Sequence, residues 1–200
     1  MKKVIGLDFE AAPISEGINT WNHYHYKALS VGAWIYGSKS TFYSTIKPLG
    51  PYVLTKWNKK FTPELTTEKL NSSKSSCEVL NDLLAFFQKE CKDGCNIVTY
   101  GELDLVQFMK LMIMCKPKTP IKINKFDPYF YKPSNVPFTL TFVDLYKFSL
   151  YEKPYNTELK LKSQWLSIFP NETYEEHNAL QDAKAVAEVA VIKYNVDFLN

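Results

Sequence analysis

Hydrophobic and polar positions along this chain follow two different rhythms. The run Lys3 to Phe9 is apolar and closes on Asp8-Phe9-Glu10, and the stretches 28–36 and 41–47 are rich in β-branched and aromatic residues. With Gly37 and Ser38 as a turn between the last two, these read as a strand and a hairpin, together a three-stranded meander. From Ser75 to Cys91 the period changes: cap-forming serines precede Val79, Leu80, Leu83, Leu84 and Phe87 at helical spacing, which predicts an amphipathic helix. Asp93 and Gly94 interrupt it, 96–100 reads as a buried strand, Gly101 turns the chain, and 103–114 resumes a helical pattern. Between Lys116 and Pro137 prolines break every period, which predicts an irregular surface excursion. Beyond it, 139–145 reads as a strand leading into a short helix, 157–168 as a helix capped by Thr157, and 178–194 as a closing helix. In that last helix Leu180, Ala183, Ala187, Ala190, Val191 and Tyr194 form a stripe of mostly small residues, able to lie close against a sheet. Strand followed by helix after a meander predicts an α/β sandwich.

Composition narrows the class without choosing a function. The 200 residues, 46% hydrophobic, suffice for a full core, so a single domain spanning 1–200 is expected. There is no apolar run of about eighteen residues, and the start MKKVIGLDFE lacks the apolar stretch of a signal peptide. A soluble, cytoplasmic protein with no membrane partner is expected. Cys77, Cys91, Cys95 and Cys115 make no closely spaced pair and have no nearby histidine, so they read as reduced, packed thiols and not as a zinc site. The net charge of +3 decides nothing, but all 24 basic residues are lysine, which points to an AT-rich coding genome such as a low-GC bacterium's or its phage's. A phosphate would then be met by lysine, backbone N–H groups or metal, since no guanidinium fork is present.

The candidate chemistry lies in four carboxylates and one histidine. Alternation on a strand sends Asp8 and Glu10 to one face and Phe9 to the other. Two such neighbours repel unless a cation joins them, and hard Mg²⁺ or Mn²⁺ suits oxygen ligands. Asp104 follows the Gly101 turn at a helix start, where on its own it would serve the free N–H groups. In His177-Asn178-Ala179-Leu180-Gln181-Asp182-Ala183, Asn178 can cap the helix, which leaves His177 in the loop before it and Asp182 on the second turn. The flanking Ala179 and Ala183 allow that face to approach a strand.

In their order and spacing, D-x-E on a first strand, Tyr100-Gly101-Glu102-Leu103-Asp104 in mid-chain and the His177 to Ala183 segment resemble the DEDDh 3′-to-5′ exonucleases. The second motif is most similar to the branch of RNA-interference and histone-messenger 3′ exoribonucleases, as are Phe61-Thr62-Pro63-Glu64 and Phe142-Val143-Asp144-Leu145. Asn178 stands where a DEDDy enzyme would have tyrosine. The resemblance implies a ribonuclease H-like fold with a mixed central sheet flanked by helices. It implies that Asp8, Glu10, Asp104 and Asp182 hold two Mg²⁺ or Mn²⁺ ions and that His177 is the general base.

It further implies hydrolysis of single-stranded RNA or DNA from the 3′ end to nucleoside 5′-monophosphates, with RNA favoured. Where many relatives follow D-x-E with threonine, this chain has Ala11-Ala12-Pro13, so Ala11 is expected to offer a free backbone to a nucleotide. Aromatics and lysines interleave at 21–27 and 116–132, and Trp21 is a candidate for stacking on a base. Two other readings stay open: a DNA-directed proofreading or repair exonuclease, and a catalytically idle module that binds nucleic-acid ends.

Overall fold

Seven strands carry the chain in a computed structural model that describes residues 3–17, 23–92, 94–117, 121–125, 138–147 and 160–196. The central strand is β1 (Lys3–Pro13), which pairs antiparallel with β2 (Tyr26–Ile35) and parallel with β5 (Gly94–Thr99). Outward from β2 lie β3 (Thr41–Lys47) and the two-residue β4 (Lys74–Ser75), and outward from β5 lie β7 (Thr139–Asp144) and then β6 (Lys122–Lys125). The sheet is mixed, with order β4-β3-β2-β1-β5-β7-β6.

Helices cover both faces. On one side α3 (Ser76–Glu90) and α4 (Glu102–Cys115) pack on Ile5, Leu7 and Phe9, and on the other α6 (Ala179–Tyr194) packs on Val4, Val98 and Val143. Short helices α1 (Lys56–Phe61), α2 (Thr67–Ser72) and α5 (Leu161–Leu166) fill the connections. The mixed sheet flanked by helices is the α/β arrangement expected from the sequence. No helix among the described residues is long and apolar enough to cross a membrane.

The closing helix lies on the sheet at backbone contact, which two glycines make possible. A methyl group at Gly6 would stand 1.7 Å from the carbonyl oxygen of Ala183, and one at Gly32 would stand 2.3 Å from the carbonyl of Ala179. Gly32 sits opposite Asp8 in the β1–β2 register, so the same contact brings the start of α6 over the carboxylates of β1. Gly32→Ala is expected to destabilise the fold by about 3 kcal/mol, because backbone, unlike a side chain, has no rotamer in which to yield. The midpoint of urea denaturation measures it.

Three expectations need correction. Within the supposed irregular excursion, β6 forms a parallel edge strand, with Lys122 opposite Thr139 and Lys125 opposite Phe142. Its four residues are bracketed by prolines in sequence, so only the exposed edge of β7 reveals them. Thr157 and the start of the expected helix 157–168 fall outside the described residues, and the helix described there runs Leu161–Leu166. Finally, Cys77 and Cys115 are joined in a disulfide, while Cys91 and Cys95 are buried thiols outside it. Packing of α3 beside α4 brings the first turn of one to the end of the other, a meeting that a sequence separation of 38 conceals. Closing a loop of that length stabilises by about 4 kcal/mol if the effect is unfolded-chain entropy.

Candidate active site

The site forms where β5 stops short of β1. The parallel pairing of the two strands ends at Gly6 and Val98, so the Phe9 N–H beyond it has no strand partner on that side. Instead it donates to Asp104 Oδ1 at 2.9 Å. Gly101, at φ +105°, makes the turn from β5 into α4 that brings Asp104 there, and its N–H donates to Asp144 Oδ1 at 3.1 Å. One hydrogen bond therefore fixes the third residue of α4 to the backbone of β1 at the residue that separates Asp8 from Glu10.

Asp182 arrives from the opposite side. Asn178 caps α6 by accepting from the N–H groups of Leu180 and Gln181, each at 3.2 Å, which leaves Asp182 at the end of the first turn. Its two oxygens accept from the Tyr174 hydroxyl and from the His177 N–H, the latter at 2.9 Å. His177 itself has φ +65° and turns its ring toward the cluster, so that ligand atoms of Glu10, His177 and Asp182 all lie within 4.8 Å of one another.

These carboxylates are poorly solvated and repel each other. Glu10, Asp104 and Asp182 are 6%, 3% and 9% exposed. Loss of water and then the charges of Asp182 and Asp104 push Glu10 up to about 8, and loss of water likewise raises Asp104 to about 8, against the Phe9 hydrogen bond. Asp182 rises less, to about 6, because Tyr174 and His177 donate to it. Asp8 is also held well above the usual carboxylate range by desolvation, Asp104, Glu10 and Asp182. Burial lowers His177, partly offset by Glu176. Four oxygen donors that together cannot hold their charges unaided fit divalent cations, whose charge would reverse these shifts.

Of the five residues singled out in the sequence, the fold brings Glu10, His177 and Asp182 to ligand distance of one another, and it holds Asp8 and Asp104 near enough for their charges to raise the same carboxylates. Of the two substrate contacts, Trp21 lies outside the described residues. Ala11 is buried beside Glu10, and its carbonyl accepts from Asn58 Nδ2 at 3.0 Å. Beside the carboxylates opens a groove of about 410 Å³ lined by Phe9, Glu10, Ala11, Tyr26, Trp57 and Leu103.

Sequence reasoning missed Tyr174, which holds Asp182, and Trp57 and Phe61, whose rings stand 4.6 and 4.7 Å from that of His177. A six-residue helix shows too little periodicity to be found. The signal that was present is Thr55 three residues before Asn58, a reciprocal cap that marks a helix start.

The fold is one shared with exonucleases. A 3′-exonuclease solved with the histone messenger stem-loop whose 3′ end it recognises superposes with a TM-score of 0.66 at 16% identity, over 95% of this chain and 62% of that one. The zinc-bound complex of E. coli exonuclease I with single-stranded DNA gives 0.57 at 12%, over 97% and 40%. The RNase domain of the yeast Pop2 protein gives 0.55 at 10%, over 96% and 78%. The chain therefore spans less than two thirds of the length of the first two. No family model matches the sequence, and no curated protein does.

Proposed function

We propose that this chain is a metal-dependent 3′-to-5′ exonuclease that shortens single-stranded nucleic acid, RNA in preference to DNA, to nucleoside 5′-monophosphates. The observation that carries the reading is the meeting of Glu10, His177 and Asp182 within 4.8 Å of one another, with Asp8 and Asp104 close enough to act on the same carboxylates by their charge. The fold shared with an exonuclease that recognises a messenger stem-loop and with one bound to single-stranded DNA supports a nucleic-acid substrate, and the preference for RNA rests on the likeness of Tyr100-Gly101-Glu102-Leu103-Asp104 to the exoribonuclease branch. The zinc-bound form of one of them supports a divalent cation.

Asp8, Glu10, Asp104 and Asp182 would hold Mg²⁺ or Mn²⁺, two ions in this reading. Bound there, the ions would supply charge neutralisation for the scissile phosphate and acidify a water. The chain supplies the rest. Asp104 is pinned to the β1 backbone and Asp182 to the loop of His177, so ligand positions and base are set by the same hydrogen bonds. His177, lowered from its ordinary 6.5 by burial, stays neutral at neutral pH and can accept the proton of the attacking water. The groove beside Glu10 would receive the terminal nucleoside, with Trp57 and Tyr26 as aromatic walls.

His177→Ala is expected to lower kcat by about a hundredfold to ten-thousandfold without loss of cation binding. At saturating Mn²⁺ the acidic limb of the wild-type pH–rate profile should fall below pH 6.5 and vanish in the variant. Rates on RNA and DNA strands of one sequence, measured side by side, test the choice of polymer. Faster DNA turnover would favour the repair-type exonuclease, and binding of both strands without cleavage would favour an idle end-binding module.

A further inference from the structure

Helix α1 is too short to hold itself in water, yet it is fastened twice. Asn58 and Thr55 cap it reciprocally, and the buried Asn58 side chain donates to the Ala11 carbonyl, one residue beyond Glu10. α1 therefore moves with the strand that carries the carboxylates. From it Trp57 and Phe61 reach the imidazole of His177 at 4.6 and 4.7 Å, with the ring planes inclined by 74° and 61°. The backbone of His177 is tied to Asp182, but its ring is half-buried and otherwise faces carboxylates, Glu176 Oε2 at 3.9 Å and those of Glu10 and Asp182 within 4.8 Å. Two edge-to-face contacts favour one ring setting over the free alternatives by about tenfold.

Trp57 has a second role that Phe61 does not share: it also forms a wall of the groove, beside Glu10 and Ala11. One indole stands between the place where a terminal nucleoside would lie and the residue that would take the proton. Trp57 is 44% exposed, so the indole still has a surface to offer a ligand.

We infer that Trp57 couples the two, acting as a positioning residue that makes turnover depend on the base of the terminal nucleotide. A nucleobase stacked in the groove pins the indole, and the pinned indole holds His177 toward Glu10 and Asp182. A 3′ end without a base then leaves the ring of His177 loose, and the loss appears in kcat and not only in KM. This inference rests on the exonuclease reading.

The test compares strands ending in a normal or an abasic 3′ residue, in the wild type and in Trp57→Ala, Trp57→Phe and Phe61→Leu. In the wild type the abasic end should lower kcat by about tenfold. Trp57→Ala should bring the normal end down to the abasic level, and Trp57→Phe should restore the difference. Phe61→Leu should lower kcat for both ends and preserve their ratio, because Phe61 touches His177 but not the groove. A second readout needs no turnover: adenosine, which carries no phosphate, should move the His177 ring-proton resonance in the wild type and not in Trp57→Ala, whereas ribose should move it in neither. Equal kcat for the two ends, or a ratio unchanged in Trp57→Ala, overturns the coupling while leaving the exonuclease intact. Absence of cleavage by the wild type overturns the exonuclease reading, and the resonance then decides the coupling alone: movement by adenosine only upholds it, and equal or no movement rejects it.

Discussion

Glu10→Gln is expected to abolish shortening of single strands, lowering kcat by at least about a thousandfold, while making the metal-free protein more stable at pH 8. The two effects share one cause. Glu10 is 6% exposed, has Asp182 and Asp104 as its strongest charged neighbours, and is pushed up to about 8. An amide of the same shape removes a charge that the fold holds at a cost, and with it an oxygen donor that a cation needs. The gain should be about 1–3 kcal/mol, read as a rise in the denaturation midpoint without metal. A residue retained only for structure would lose stability on the same change. Gain of stability with loss of activity is the signature of a functional carboxylate.

The second large effect is a linkage between pH, cation and stability. Asp8, Glu10, Asp104 and Asp182 all have folded-state pKa values above their ordinary ones, with Glu10 and Asp104 at about 8 and Asp182 at about 6. Between about pH 4 and pH 8 the folded protein therefore binds more protons than the unfolded chain, so stability is greatest at the acidic end and is lost as pH rises through the folded values. The metal-free protein is expected to be weaker at pH 8 than at pH 5.5 by an amount on the order of a few kcal/mol. Saturating Mn²⁺ should remove the deficit, because the ion binds the ionised cluster that repulsion otherwise destabilises. Cation affinity should move the opposite way and weaken by at least about tenfold from pH 8 to pH 6, since protons and metal compete for the same oxygens. Thermal unfolding with and without Mn²⁺ across this range checks both signs together.

The parts of this protein that could be read from its sequence are those whose signal is local. Period-two alternation places Asp8 and Glu10 on one face, and the cap of Asn178 separates His177 from Asp182, so the site's own residues stand out without any knowledge of what lies opposite them. What was not legible depends on partners far along the chain. β6 is a strand only because β7 offers it an edge, and Cys77 meets Cys115 only because α3 and α4 lie side by side. α1 shows no apolar period in six residues, so Trp57 and Phe61 could not be assigned to His177. Tyr174 is one tyrosine among thirteen, and its service to Asp182 follows from a loop geometry that sequence spacing does not express. Gly32 is the instructive intermediate case. It interrupts a strand, which weakens the local signal, and its reason appears only when Ala179 is found 2.3 Å from where a side chain would begin.

These carboxylates are expected to run a hydrolysis at a 3′ end. The most direct measurement is a time course on a single-stranded RNA labelled at its 5′ end, with Mn²⁺ or with EDTA, in which released products are identified by mass. A ladder shortening one residue at a time with nucleoside 5′-monophosphates as first products, absent with EDTA and absent in Glu10→Gln, is the predicted result. Internal cuts, release of 3′-monophosphates, or undiminished cleavage in EDTA or in the variant would contradict it.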